Sequence, residues 1–199
     1  MWAGLPADIG VAAAAFIGTN LDNGLVTAAM VAAAPPERDT RIVVGQVIGF
    51  TVLVAAAAGT ALALFEVSAR VIGLLGLVPL ALGLRGLLAL RHPEDRWHPS
   101  QRVAGTGILA AILITVGSGG DNLAIYIPLF RVAGAANLLS ITAVFVAGEL
   151  LLTAGVLRIG RHPRLRGAVT RIGVWAAPVL YCLIGVLVLV RAGTLSFLG

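Results

Sequence analysis

The sequence predicts an all-α membrane protein of six transmembrane helices, arranged as two inverted-topology three-helix repeats. Three observations predict it. Charged residues make up 12% of the 199 and hydrophobic residues 59%, with a mean hydropathy of +1.00, whereas soluble domains carry roughly 25% charged residues. About 20 mostly apolar residues span a bilayer, and the chain supplies such a run six times. Finally, Gly18-Thr19-Asn20-Leu21-Asp22-Asn23 and Gly117-Ser118-Gly119-Gly120-Asp121-Asn122 align without gaps at an offset of 99 residues. The same offset pairs Gly49 with Gly148, Pro79 with Pro178 and Gly86 with Gly185. A proline pair and an Asp-Asn pair in one register make the chain two homologous halves, about 8–90 and 103–191, of a single membrane transport domain over 1–199.

Helix 1 is expected from about Asp8 to Ala34, stopped by Pro35-Pro36, which cannot continue a helix. Helix 2 follows from about Ile42 to Phe65 and carries Gly45-x-x-x-Gly49, a spacing that lets helix backbones approach closely. Helix 3 runs from about Val71 to Leu90, with a kink expected at Pro79. The longest polar stretch, Arg91 to Arg102, joins the halves. Helix 4 fills the run from Val103 to about Phe130, and a short turn over Arg131–Ala136 leads to helix 5, about Asn137 to Leu157. A basic loop from Arg158 to Arg171 precedes helix 6, about Gly173 to Val190, with Trp175 near one interface.

All 14 basic residues are arginines, and the net charge is +5. They lie in short loops between apolar runs, which argues against a nucleic-acid partner and for a topological rule. The loops after helices 1, 3 and 5 hold ten arginines and the opposite side three, leaving out Arg85 within helix 3. Positive loops stay inside, so both termini are expected outside the cytoplasm. Three helices per half then insert the halves in opposite orientations, each bringing a broken helix to the midplane. The N-terminus lacks a basic stretch before its apolar run, which reads as a first span and not a cleaved leader. One cysteine, Cys182, excludes an intrachain disulfide and any CxxC motif.

The two motifs put carboxylates, amides, hydroxyls and glycines where a membrane helix would carry leucine. A charge near the bilayer midplane costs about 2.5–3.5 kcal/mol on insertion scales, so such residues face a cavity or a partner. Irregular backbone at that depth survives only where it lines a cavity or is packed in protein. Asp22 and Asp121 would meet face to face, surrounded by Thr19, Asn20, Asn23, Ser118 and Asn122 and by carbonyls freed at the glycines. Carboxylate, amide, hydroxyl and carbonyl oxygens are the ligands of hard divalent cations. Two like charges in low dielectric also repel, so a proton and a metal ion would occupy the pair in turn. The alternative is a hydrogen-bonded knot that fixes helix packing.

Glu149, in helix 5, is a third buried acid, with Phe50 opposite it in the repeat register. It carries protons, completes the site, or pairs with an arginine such as Arg85. Asp121, Asp22 and Glu149 are therefore the proton-coupling candidates. Tyr126 and Pro128 are explained by a hydrogen bond and a kink. Cys182 and Met30 read as packing residues sooner than soft ligands. His92 and His98 beside Glu94 and Asp95 form either a solvated charged loop or a weak metal-sensing patch.

Gly-Gly-Asp-Asn-Leu-x-x-Tyr-x-Pro-Leu-Phe, residues Gly119 to Phe130, resembles the signature of the cadmium resistance transporter family, and Thr19–Asn23 resembles that family's first-helix acidic motif. The family belongs to the lysine-exporter superfamily, built as six helices in two inverted triplets. The resemblance covers essentially the whole chain. It implies that Asp22 and Asp121 are the acids of the two repeats, with Asn122 beside the second; where this chain has Ser118 the family often has Asn. It also implies efflux of Cd²⁺ or a similar ion across a bacterial cytoplasmic membrane. The oxygen donors suit Mn²⁺, Mg²⁺ or Ca²⁺ at least as well as soft Cd²⁺.

The expected function is thus a secondary exporter of divalent cations, proton- or potential-coupled, with the metal ion as cargo, no cofactor, the lipid bilayer as partner and a homo-oligomer compatible with it. No GxxxxGK[ST] motif for ATP is present. Export of an amino acid or organic cation is the runner-up. An intramembrane serine hydrolase built on Ser118 is a distant third, because no helix offers a histidine base.

Overall fold

A computed structural model describes residues 5–90 and 107–194. Among them the chain is helical, with α1 (Leu5–Ala33), α2 (Asp39–Ala63), α3 (Ala69–Gly73), α4 (Leu77–Ala89), α5 (Ile108–Ser118), α6 (Gly120–Ala133), α7 (Ala135–Arg161) and α8 (Pro163–Arg191). The Arg91–Arg102 connection, including His92, His98, Glu94 and Asp95, lies outside the described residues.

Among the described residues, four helices are long and apolar enough to cross a membrane by length and composition. They lie at Ile9–Ala33, Pro36–Ala63, Val71–Ala89 and Ala136–Arg161, and α5 with α6 makes a fifth if the bent pair is one span. The remaining apolar helix, Trp175–Arg191, is shorter. Polar side chains are drawn into the apolar interior and large apolar ones face outward: Thr19, Asn20, Gln46, Asn122 and Glu149 are buried, while Leu109, Leu139 and Leu151 are more than 60% exposed. Apolar side chains on the outer face are what a lipid-facing surface requires.

Three local features differ from the sequence expectation. The predicted basic loop at Arg158–Arg171 is helical, with only His162 between α7 and α8. Pro163 takes the first helical position of α8, where its missing N–H is harmless, and Arg158 and Arg161 sit in the last turn of α7, where cations complement the helix dipole. The irregularity expected at Pro79 falls one turn earlier, as a 3₁₀ turn over Leu74–Gly76 between α3 and α4. A proline ring clashes with the carbonyl four residues before it, here that of Leu75. Third, α1 runs unbroken through Gly18–Asn23, whereas the second motif splits into α5 and α6, bent by 61° at Gly119.

Glycines set the close contacts. Phe16 packs on Gly148, and Ala28 and Val31 pack on Gly160, so α1 and α7 run parallel. Gly45 packs on Ala111 and Gly49 on Thr115, so α2 and α5 also run parallel. α4 and α8 are antiparallel, with Gly76 against Val188, Gly83 against Cys182 and Gly86 against Pro178. At the α6–α7 junction Gly134 adopts φ 79°, which only glycine takes without strain, and so turns the chain within one residue.

An aromatic layer fills the centre. Phe16 meets Phe50 edge-on at 5.6 Å between centroids, and Tyr126 lies 4.4 Å from Phe145. Two arginines fasten the ends. Arg131 donates to the carbonyls of Leu64, Phe65 and Val67 beyond α2 and lies over the Phe65 ring, and Arg161 bonds Ala34 O and Asp39 Oδ1.

Candidate functional site

The second motif breaks because the backbone is free to. Gly119 sits at φ −79°, ψ 12°, and its N–H reaches back only to Val116 O at 3.2 Å. Leu53 of α2 fills the space a side chain on Gly119 would need. The break starts α6 at Gly120, so Asp121 falls in the first turn and accepts the Asn122 N–H at 2.9 Å. A carboxylate there is favoured by the free N–H groups and the helix dipole.

The first motif keeps its helix because its polar side chains serve the helix itself. Thr19 donates to Ala15 O at 2.9 Å, Asn20 Nδ2 to Phe16 O at 3.0 Å, and Thr27 to Asn23 O at 2.9 Å. One step across, the Tyr126 hydroxyl lies 2.8 Å from Thr19 Oγ1 and accepts from Asn20 Nδ2 at 2.5 Å. Thr19, Asn20 and Tyr126 thus lock α1 to α6, the packing role foreseen for Tyr126.

Asp22, Asn23, Ser118, Asp121 and Asn122 converge from α1, α5 and α6. Ser118 Oγ donates to Asn23 Oδ1 at 2.5 Å and also lies 2.8 Å from Ile114 O. The charges of Asp22 and Asp121 act on one another across the helix interface. Around them sit buried polar atoms with no hydrogen-bond partner in the protein: Asp22 Oδ1, Asn23 Nδ2 and both amide atoms of Asn122. Buried polar groups are nearly always paired, and leaving one unpaired costs about 1–3 kcal/mol, more for a charged group. Four such atoms beside two carboxylates are the signature of groups arranged for something other than packing. Among the described residues no three His, Cys, Asp or Glu side chains cluster, so the acidic content of this centre is two carboxylates.

Two participants were not singled out from the sequence. Tyr181 of α8 donates to Asp121 Oδ2 at 2.5 Å. Its signal was there: the chain has only two tyrosines, and this one stands in an aliphatic run. Gln46 of α2 donates to Glu149 Oε1 at 3.0 Å and is nearly fully buried. It was hidden between the two glycines that drew attention. Glu149 is therefore held by an amide and not by Arg85, which is exposed; a salt bridge joins Arg161 to Asp39. Cys182 is free and packs against Gly83, and Met30 is buried in an apolar cluster.

The Ser118 hydroxyl is spent on Asn23 and on its own helix. Two carboxylates, free amide oxygens and a helix break inside an apolar bundle can hold a cation stripped of water. Neither a curated protein nor a solved structure matches the chain. A family model described as "Cadmium resistance transporter" matches residues 16–198, a span that takes in both motifs, Glu149 and Tyr181. The chain belongs to the cadmium resistance transporter family.

Proposed function

We propose that the protein is a secondary transporter that exports divalent metal cations, Cd²⁺ or a similar ion such as Mn²⁺, Mg²⁺ or Ca²⁺, across the cytoplasmic membrane. The ion sits at the midplane between Asp22 and Asp121. Asn122, Asn23 and Ser118 supply neutral oxygens, and Thr19 and Asn20 brace the site through Tyr126. The observation that carries this reading is the cluster of buried, unpartnered polar atoms on Asp22, Asn23 and Asn122 next to Asp121. Two carboxylates neutralise a divalent ion, and amide and hydroxyl oxygens replace part of its water shell. Coupling would run through protons or the membrane potential.

The six-helix inverted repeat is part of the same proposal, with α3 and α4 as one span, α5 and α6 as another, and both termini outside. Three contact pairs support it. The 99-residue offset exchanges Phe16–Gly148 with Thr115–Gly49, and both contacts occur. It also maps Gly83 onto Cys182, and these touch, as residues on a two-fold axis do. Parallel first and fifth spans, parallel second and fourth, and antiparallel third and sixth are what six alternating passes require.

The test is efflux from metal-loaded vesicles by purified protein. Export should saturate with a divalent ion and fall at least about tenfold in Asp22→Asn and in Asp121→Asn, since one carboxylate under-neutralises a dehydrated divalent ion by well over 1.4 kcal/mol. Parental export by both variants at equal insertion, or a response to lysine but to no metal, would sink the reading.

A further inference from the structure

A second group of orphaned oxygens lies away from the aspartate pair. Glu149 is 3% exposed and Gln46 1%. Their single mutual bond, from Gln46 Nε2 to Glu149 Oε1, leaves Glu149 Oε2 and Gln46 Oε1 buried with no hydrogen-bond partner. Thr153, one turn along α7, brings its hydroxyl close to the carboxylate. Two acceptor oxygens, one from α2 and one from α7, thus stand without donors in the bundle interior. The 99-residue offset places Phe145 where Gln46 is and Phe50 where Glu149 is, so the matching positions carry apolar side chains. Both phenylalanines pack on Phe16 with nothing polar to satisfy.

We propose that Glu149, Gln46 and Thr153 form a binding site for a counter-cation of single charge, a proton or Na⁺, distinct from the metal site. Charge sorts the two sites. The aspartate pair carries two negative charges and suits a divalent ion. Here one carboxylate stands among neutral groups, so a divalent ion would leave an uncompensated buried charge, whereas a monovalent one closes the balance. The oxygens are hard donors with no soft partner, which excludes a thiophilic ion.

Among the described side chains, the charged or titratable groups on the elements packed against α7, apart from Asp39 and the arginines, are Asp22 on α1, Asp121 and Tyr126 on α6, and Tyr181 and Cys182 on α8. Tyr126 links the elements that carry the two sites: it lies on α6 with Asp121, its hydroxyl is held by Thr19 and Asn20 of α1, and its ring packs on Phe145 of α7, the helix of Glu149. Filling one site is therefore felt at the other, which is what exchange of one cation for another needs.

The role in exchange rests on the proposed metal export; the binding itself does not, and the experiment separates them. Infrared difference spectra of the protein in lipid, recorded across pH with and without Na⁺, should show a carboxylic-acid band that titrates with pH or vanishes on adding Na⁺. That change should be missing in Glu149→Gln and kept in the Asp22→Asn/Asp121→Asn double variant. Titration with pH alone identifies the proton, and displacement by Na⁺ at constant pH identifies the metal ion. No Glu149-dependent change with either overturns the proposal, whatever the metal measurements give. In vesicles, Glu149→Gln should bind Cd²⁺ or Mn²⁺ as the parent does and keep metal–metal exchange, but lose the several-fold acceleration by an opposing proton or Na⁺ gradient. Loss of metal binding, as in Asp22→Asn, would put Glu149 in the metal site and overturn the second one. If Glu149→Gln inserts poorly, Thr153→Val removes one oxygen and no charge; it should blunt the gradient response while keeping metal–metal exchange, and an unchanged response counts against the site. A parent that binds no divalent ion would end the export reading and leave the infrared result to decide this one.

Discussion

The first motif on α1 and the second across α5 and α6 share a glycine, a hydroxyl and an Asp-Asn pair in one register and end in different structures. Asp22-Asn23 lies mid-helix, in a turn whose hydroxyl and amide side chains bond back to their own carbonyls. Asp121-Asn122 opens a new helix after a 61° bend, its carboxylate held by a backbone N–H and by Tyr181. Glycine number decides between them. Three glycines within four residues weaken the second helix, each by roughly 0.5–1 kcal/mol relative to alanine, and Leu53 occupies the room beside Gly119. The first motif has Gly18 alone before its Asp. The contacts differ too. Ser118 reaches Asn23, while its counterpart Thr19 is drawn to Tyr126 and leaves both amide atoms of Asn122 unpartnered.

The largest expected effect comes from removing charge on either side. Asp121→Asn and Asp22→Asn should each abolish metal efflux at normal insertion. The comparison is sharpened by Tyr181→Phe, which keeps the charge and frees Asp121 Oδ2 from a competing hydroxyl. It should preserve export and lower the half-saturating metal concentration several-fold, read from the same vesicle assay. Equal affinity in Tyr181→Phe and parent would mean the hydroxyl stays on Asp121 when the ion binds, or never shields it.

Next in size is the break itself. Gly119→Ala drives a Cβ into Leu53, and overpacking of that kind costs about 1–3 kcal/mol. Thermal unfolding in detergent should fall accordingly, and Leu53→Ala in the same chain should restore it. A Gly119→Ala protein as stable as the parent would show that the bend is not held by this contact. Tyr126→Phe should be milder, about 1–2 kcal/mol, because Thr19 and Asn20 each retain a carbonyl partner on α1.

The all-α membrane class was legible, and the boundaries near Pro35-Pro36 and Gly134 and the two motifs follow from composition and spacing; the described residues offer four or five spans against the six apolar runs of the sequence. The site was legible in part. Ser118 and Asn23, singled out in separate motifs, meet through a hydrogen bond. The diversion of Thr19 and Asn20 to Tyr126 was not readable, because a hydroxyl's choice of partner depends on which helix lies opposite. Tyr181 and Gln46 were missed for the same reason: each acts through a residue 60 or 103 positions away, and no local pattern encodes that pairing. The helix through Arg158–Arg171 was missed because arginine clusters read as loops in a membrane chain, although arginine is a good helix former.

The smallest expected effect is the most pointed test of why the two motifs differ. Gly117 lies in the last turn of α5, exposed, and a Cβ added there meets nothing within 4 Å. Gly117→Ala therefore removes backbone entropy from the unfolded chain without a clash, and should be neutral or stabilising by about 0.5–1 kcal/mol. Gly18→Ala, its partner by the repeat, meets Leu180 Cβ at 3.2 Å and asks α8 to give by a few tenths of an ångström, so it should be slightly destabilising. If flexibility of the whole glycine run produced the bend, Gly117→Ala would straighten the second motif and slow export with no loss of stability. If the bend belongs to Gly119 and its neighbour Leu53, Gly117→Ala should transport at the parental rate. Export by Gly117→Ala within about twofold of the parent, beside a destabilised Gly119→Ala, would assign the break to a single residue and its packing.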